Sequence, residues 1–266
     1  FIKKENSKAT LNIIGNLTKK EFFFDELSLV NNDNIVNLKQ IHFDKNFKLK
    51  KIKSAKFDFV DIDNLQNKFL LEKKKKQYEF KGKTLNASQI IENIIKDENK
   101  KKNNFINNDY KINFNVNKVY LDNDHFIKNL KGFLKIEKNQ IAGAELNSNF
   151  ENSDEQLSFT VKKIDEKKVT TFFSGKAKPL VNKYDFIKGF EEGSLDFYSI
   201  SHQDVSNSKL KIYNFKLKEL PALTKLLTLA SLQGIADLLS GEGIRFEEFE
   251  MNYETNKDLM KINEIY

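Results

Sequence analysis

The chain has 266 residues, a formal net charge of +7, two prolines and no cysteine. This length and composition allow one large domain or two with ample core, and the lack of cysteine excludes disulfides and thiolate chemistry. Arg245 is its only arginine, and because base readout and phosphate recognition rely on arginine, the positive charge does not predict nucleic-acid binding.

The first 97 residues are expected to form an N-terminal β segment that ends in a short helix. Apolar and polar residues alternate from Leu11 to Ile62, which is typical of strands with one dry and one wet face. Asn86 and Gln89 are spaced as a capping box, and isoleucines at helical spacing follow, so a helix is predicted at about 86–97. The lysine run 73–76 is interpreted as a solvated turn or strand end.

A polar connection over 98–109 is the predicted boundary between this segment and a second β segment, 110–266. Alternation is clearest just after the boundary, and the apolar residues of two strands there are the candidates for lining an apolar groove. These candidates are Tyr110, Ile112, Phe114, Val116, Leu130, Leu134 and Ile136. For each of them, the core of a closed sandwich is an alternative position.

Two further helical regions are predicted. Asp165 can cap a short helix at about 166–173, and Pro179 is expected to begin another turn. Pro221 begins a Leu/Ala-rich stretch, 221–240, that we interpret as a pair of short helices, ended by Gly241 and Gly243. Their apolar residues are expected to plug the β structure, cover a sheet end or contact a membrane, and are Leu223, Leu226, Leu227, Ala230, Leu232, Ile235, Leu238 and Leu239.

Taken together, the elements predict a mostly β protein. Strands of this length, joined by hairpins, favour a long antiparallel sheet. A single sheet with one apolar face must either roll up or lie against apolar material, so we expect an elongated open groove. The sequence has no charge-free apolar run of about 18 residues, the length of a membrane-spanning helix. Because it opens on Phe1 and stops in a strand-like pattern at Tyr266, we expect it to be part of a longer protein.

Catalytic and metal-binding patterns are not evident. The three histidines, His42, His125 and His202, are isolated, and the Asp/Asn-rich context of His125 favours a turn over a metal site. There is neither a serine nucleophile elbow nor a dinucleotide fingerprint. We therefore predict no enzyme activity, no metal site and no cofactor.

The stretch 215–253 resembles the AsmA-like C-terminal domain of the YhdP-type proteins. In that family a proline-started helical pair precedes a G-x-G-[IF]-x-F element and a strand. The matching motif positions here are Pro221, Gly234, Gly241, Gly243, Ile244 and Phe246. Outside this stretch the resemblance is looser and rests on the order of the elements.

The resemblance implies a periplasmic part of a protein anchored in the inner membrane of a Gram-negative bacterium. It implies that phospholipid is the partner and that an apolar β-groove conducts it towards the outer membrane, with a membrane surface as a further contact. Two other interpretations stay open: a scaffold for outer-membrane assembly that carries no lipid, and a basic β protein that binds acidic polymers through its lysines. The oligomeric state is left open.

Overall fold

The computed structural model describes residues 8–18, 21–32, 34–96, 109–138, 140–151, 153–183, 189–218, 243–256 and 259–266. Within them lie fifteen strands and two helices. The helices are α1 (Ser88–Lys96) and α2 (Lys178–Val181). The strands are β1 (Thr10–Leu17), β2 (Glu21–Asn31), β3 (Asn34–Asp44), β4 (Leu49–Val60), β5 (Gln66–Lys74), β6 (Gln77–Asn86), β7 (Tyr110–Tyr120), β8 (Phe126–Glu137), β9 (Gln140–Phe150), β10 (Gln156–Ile164), β11 (Lys167–Ser174), β12 (Phe190–His202), β13 (Val205–Leu217), β14 (Ile244–Asn256) and β15 (Leu259–Ile265).

The strands form one sheet in which spatial order follows chain order from β1 to β15, and the sheet is not closed. Neighbouring strands pair antiparallel, as in β2 with β3, but β6 and β7 pair in parallel. Parallel neighbours need a crossover connection, and α1 lies between these two strands in the chain. The predicted mostly β architecture with a long, open sheet is therefore confirmed, with one parallel pair that the sequence did not predict.

Tight turns account for the hairpins. Two-residue loops follow β2, β5, β8, β10 and β12, and each begins with a residue at positive φ. Two-residue hairpin turns need a positive φ at this position, because only then does the turn match the right-handed twist of the two strands. The residues at positive φ are Asn32, Lys75, Lys138, Asp165 and Gln203. The prediction that the lysine run 73–76 contains a turn is confirmed, because Lys75 and Lys76 connect β5 to β6.

The three predicted helical regions have three different outcomes. The helix expected at 86–97 is confirmed as α1, and Pro179 lies in the first turn of α2 as expected. The predicted cap is wrong, because Asn86 is the last residue of β6 and its side-chain amide donates hydrogen bonds to Asp61 and Asp63. The helix expected at 166–173 is wrong, because those residues form β11 and pair on both sides. Its β-branched residues Val169, Thr170 and Thr171 favour a strand. The pair expected at 221–240 lies outside the described residues.

The chain divides into two compact units: unit 1 is Phe1–Ala87 with Lys100–Ser148, and unit 2 is Ser88–Asn99 with Asn149–Tyr266. The predicted boundary at 98–109 stays a prediction, since residues 97–108 are not described. Buried apolar side chains of unit 1 include Ile41, Ala55, Val116, Val119, Ile127 and Leu130. In the described part of the chain, no helix has the length and apolar character needed to cross a membrane.

Candidate functional site

One face of unit 1 carries two cross-strand rows that are apolar at every position from β1 to β8. The first row consists of Leu11, Leu29, Val36, Phe57, Phe69, Gly82, Val116 and Leu130. The second consists of Ile13, Leu27, Leu38, Ala55, Leu71, Phe80, Phe114 and Gly132. With strands about 4.8 Å apart, each row extends over roughly 34 Å. We call these sixteen residues the unit 1 face.

Phenylalanine rings stack along the middle of the unit 1 face. Ring centroids are 4.7 Å apart between Phe57 and Phe69, 4.9 Å between Phe69 and Phe80, and 5.3 Å between Phe80 and Phe114. Each of these four side chains is half-buried. The rings therefore present apolar surface that their own neighbours cover only in part.

The seven predicted groove residues lie together at one end of this face. Tyr110 pairs with Ile136, Ile112 with Leu134, and Val116 with Leu130, while Phe114 lies opposite Gly132. Val116 is fully buried, whereas Phe114, Leu134 and Ile136 are half-buried. Burial, and to a smaller extent the neighbouring Tyr78, raises the pKa of the Tyr110 phenol.

Two glycines shape this part of the face. Gly132 has φ of 133°, and a Cβ placed there would lie 1.7 Å from the backbone oxygen of Glu145. A Cβ on Gly82 would lie 3.0 Å from Cβ of Phe69. The glycines thus leave room for a close strand and for a phenylalanine side chain, a role that alternation alone could not predict.

The opposite face of unit 1 is polar along the corresponding row at every position except Leu70. Its members, in strand order, are Asn12, Ser28, Asn37, Lys56, Leu70, Lys81, Asn115 and Lys131. Asn115 and Lys131 are exposed. The sheet of unit 1 is therefore amphipathic, with charge and amide groups on one side and hydrocarbon on the other.

Unit 2 has an apolar face of its own. A row of Phe159, Phe172, Phe197, Leu210 and Met251 crosses β10 to β14. We call it the unit 2 row. Its side chains are half-buried. None of these five residues was predicted as a site residue, because nothing in their spacing distinguishes them from closed core.

Next to this row, α2 covers part of unit 2. Ala177 and Val181 pack into a buried cluster with Phe190, Leu195, Ile212, Phe215 and Leu217. Pro179, Leu180 and Val181 of α2 are all buried. One end of the unit 2 face is therefore closed core, while the unit 2 row is partly accessible.

Three of the six residues that carry the sequence resemblance are described, and they lie at the start of β14 or just before it. Gly243 has φ of 83°, and a Cβ there would lie 2.9 Å from the backbone oxygen of Leu217. Ile244 is buried, and the Phe246 ring stacks on Phe215 at 5.1 Å. Pro221, Gly234 and Gly241 lie outside the described residues, as do the predicted plug residues Leu223, Leu226, Leu227, Ala230, Leu232, Ile235, Leu238 and Leu239.

Aspartates that could suggest metal binding are engaged in turns. Asp122 accepts hydrogen bonds from the backbone N–H of Asp124 at 2.9 Å and of His125 at 2.6 Å, and its carboxylate lies 2.9 Å from Nδ1 of His125. Asp61 accepts hydrogen bonds from the Asn67 and Asn86 amides. Burial alone would raise the pKa of Asp61, but these donors and the turn N–H groups hold it below its ordinary value. The described residues contain no group of three or more side chains suited to a metal ion.

No family model, no curated protein and no solved structure matches this chain.

Proposed function

We propose that the chain is a segment of a bridge-like envelope protein that conducts phospholipid along the apolar faces of its sheet. The observation that supports this most is the unit 1 face, where sixteen positions in eight consecutive strands hold no polar side chain. The proposal includes membership of the AsmA/YhdP-like group and a periplasmic place in a protein anchored to the inner membrane of a Gram-negative bacterium.

The physical basis is hydrophobic burial that changes little from strand to strand. An acyl chain gains about 0.8 kcal/mol for each CH₂ that it removes from water. Because the rows are apolar at every strand, a chain moving along them does not have to pass a polar barrier. A headgroup that stays in water avoids the cost of desolvating its charge.

A structural scaffold for outer-membrane assembly is the second candidate. The observation that favours it is the closed cluster under α2, where Ala177, Val181 and Phe190 are each at most 3% exposed. A face filled in this way by the protein's own side chains has no room for lipid. If the same held in unit 1, the chain would be a rigid spacer.

Site-specific photo-crosslinking tests the transport proposal. The variant Phe114→benzoylphenylalanine places a photoreactive ring on the unit 1 face and keeps an aromatic side chain there. The variant Asn115→benzoylphenylalanine, one residue later, places the same group on the polar face and is the matched control. After the chain is mixed with phosphatidylglycerol vesicles and irradiated, we expect a lipid adduct at position 114 and not at 115, read by intact-protein mass spectrometry.

A charge variant extends this first prediction. Phe114→Asp should lower the amount of co-purifying phospholipid at least about tenfold, because burying a carboxylate against acyl chains costs more than 1.4 kcal/mol. Asn115→Asp adds the same charge to the exposed face and should leave lipid retention unchanged, and circular dichroism checks that both variants fold. Equal adducts at both positions, or a folded chain that takes up no lipid, would favour the scaffold.

A further inference from the structure

On the apolar face of unit 2, three successive rows along the strands carry different kinds of side chain. The unit 2 row is followed, two residues further along each strand, by Val161, Thr170, Ser199, Ser208 and Tyr253. The next row on the same face is Lys163, Lys168, Ser201, Ser206 and Thr255. We call this last row the cationic margin. Hydrocarbon thus gives way first to hydroxyl groups and then to two ammonium groups.

Among the described residues, the rows on this face of unit 2 contain no acidic side chain that could neutralise the two lysines of the cationic margin. Lys163 lies directly opposite Lys168, a like-charge pair that is unfavourable by itself. In the part of the chain that the structure describes, neither lysine forms an ion pair. The acidic residues of this hairpin, Asp165 and Glu166, are in its turn, where Glu166 faces His202 at 3.4 Å.

Lysines on the other face of the same sheet are arranged differently. Lys209 lies 2.7 Å from the Glu250 carboxylate, and Lys211 lies 2.6 Å from the carboxylates of both Glu248 and Glu250. The polar face therefore neutralises these two lysines internally. In contrast, Lys163 and Lys168 of the cationic margin have no such partner among the described residues, so they are available to an anion from outside the chain.

The hydroxyl groups beside the lysines suit a phosphate. Ser208 donates a hydrogen bond to Ser199 over 2.9 Å, and the hydroxyls of Ser201 and Ser206 lie 2.8 Å apart. A hydroxyl can donate to one partner while it accepts from another, so the half-buried Ser201–Ser206 pair can turn towards phosphate oxygens without leaving a group unpaired. The Ser199–Ser208 pair, one row further in, is buried. Lysine is a common phosphate ligand and acts there as a point charge.

We propose that the cationic margin receives the phosphate headgroup of an anionic lipid whose acyl chains lie on the unit 2 row. This inference rests on the proposed function and adds to it an orientation and a headgroup class. The order of the three rows matches the order of groups in the lipid, from hydrocarbon through ester oxygens to phosphate. The lipid is thereby held with its headgroup at one margin of the face.

Lipid competition on the full chain tests this. The chain is mixed with vesicles that contain equal amounts of phosphatidic acid and of diacylglycerol with the same acyl chains, re-isolated, and analysed by native mass spectrometry. Two exposed ion pairs predict a preference for phosphatidic acid of roughly threefold to tenfold, which corresponds to about 0.7 to 1.4 kcal/mol for the two together. The double variant K163Q/K168Q should lose the preference but still retain diacylglycerol.

The same hairpin offers a matched control. Lys162 and Lys167 lie on its opposite face, so K162Q/K167Q removes the same charge and should keep the preference. K163R/K168R should also keep it, and circular dichroism checks the fold of each variant.

Other outcomes would contradict either the headgroup site or the proposed function. If the preference survives in K163Q/K168Q, or falls equally in K162Q/K167Q, the headgroup site is overturned while the proposed function stands. If the wild-type chain retains neither lipid, the proposed function fails first. If inorganic phosphate alone perturbs the Lys163 and Lys168 NMR signals as strongly as the lipid does, the margin is a free-phosphate site and the lipid proposal is overturned.

Discussion

At the scale of single residues, Gly132 is the position where the backbone is least tolerant of a side chain. Its φ of 133° lies in a region that residues with a Cβ rarely adopt, and the space next to it is filled by the backbone of Glu145. The residue lies opposite Phe114 on the unit 1 face. Strand β8 can therefore hold its place beside β9 only with glycine here.

Gly132→Ala should lower the free energy of unfolding by about 3 kcal/mol or more, because conformational strain adds to a backbone clash. Gly82→Ala is the graded control: its φ is ordinary, and its new Cβ meets the Phe69 side chain at 3.0 Å, so we expect a loss of about 1 kcal/mol. Urea denaturation followed by circular dichroism measures both. Equal losses in the two variants would contradict the role assigned to the φ of Gly132.

At the scale of elements, cross-strand ion pairs connect β13 to β14 on the polar face of unit 2. Hydrogen bonds from Lys209, then from Lys211 and Asn252, lower the pKa of Glu250 from 4.5 to about 2. Hydrogen bonds to the carboxylates of Glu248 and Glu250 raise the pKa of Lys211. Since the folded-state pKa of Glu250 lies below its ordinary value, its contribution to stability is present above pH 4.5 and is lost as the pH falls towards 2.

Lys209→Gln should raise the pKa of Glu250 towards its ordinary value, because it removes the strongest of these interactions. Carboxyl-carbon NMR during an acid titration measures the shift. Lys162→Gln also removes a lysine from the polar face, but Lys162 pairs across the sheet with Val169, so the pKa of Glu250 should not move. A Glu250 carboxyl that titrates near pH 4.5 in the unmodified chain would show that these contacts do not persist in solution.

For the strands, the sequence could predict which residues share a face but not which strands pair or in which register. Alternation placed Tyr110, Ile112 and Phe114 on one face because side chains alternate strictly along a strand. It could not show that Phe114 continues a row from Leu71 and Phe80. That row depends on a parallel pair and on a register shift between Lys68 and Phe69, and neither leaves a periodic signal.

The error at β11 has a related cause. Asp165 followed by a polar stretch has the form of a helix cap, and the segment 166–173 was short enough for either structure. Pairing with β10 and β12 gives every residue from Lys168 to Ser174 a partner on both sides. These non-local contacts outweigh the local capping signal, and Asp165 becomes instead a turn residue with φ of 54°.

At the scale of the whole molecule, the sheet ends in two strands that are unusually apolar for edges. Every residue of β1 is exposed, with Ile14 at 58% and Leu17 at 69%, and this strand has no charged residue between Thr10 and Leu17. In β15, Leu259 is 77% exposed. Edge strands usually carry charges or proline that prevent further pairing. β1 has neither, whereas β15 carries Lys261 and Glu264 beside its exposed apolar residues, so β1 is the edge better suited to accept another strand.

We expect the purified chain to self-associate with rising concentration through these edges. Ile14→Lys and Leu259→Lys, combined in one variant, should shift the chain towards monomer in light scattering, because a lysine on an edge strand opposes further pairing. Neither residue belongs to the apolar rows, and Ile14 lies opposite Glu26, so the new lysine has a partner. Val60→Lys, at an exposed position on the interior strand β4, is the control and should leave association unchanged. If the edge variant associates as strongly as the unmodified chain, the contacts between copies lie on the apolar faces, and lipid that covers those faces should then disperse them.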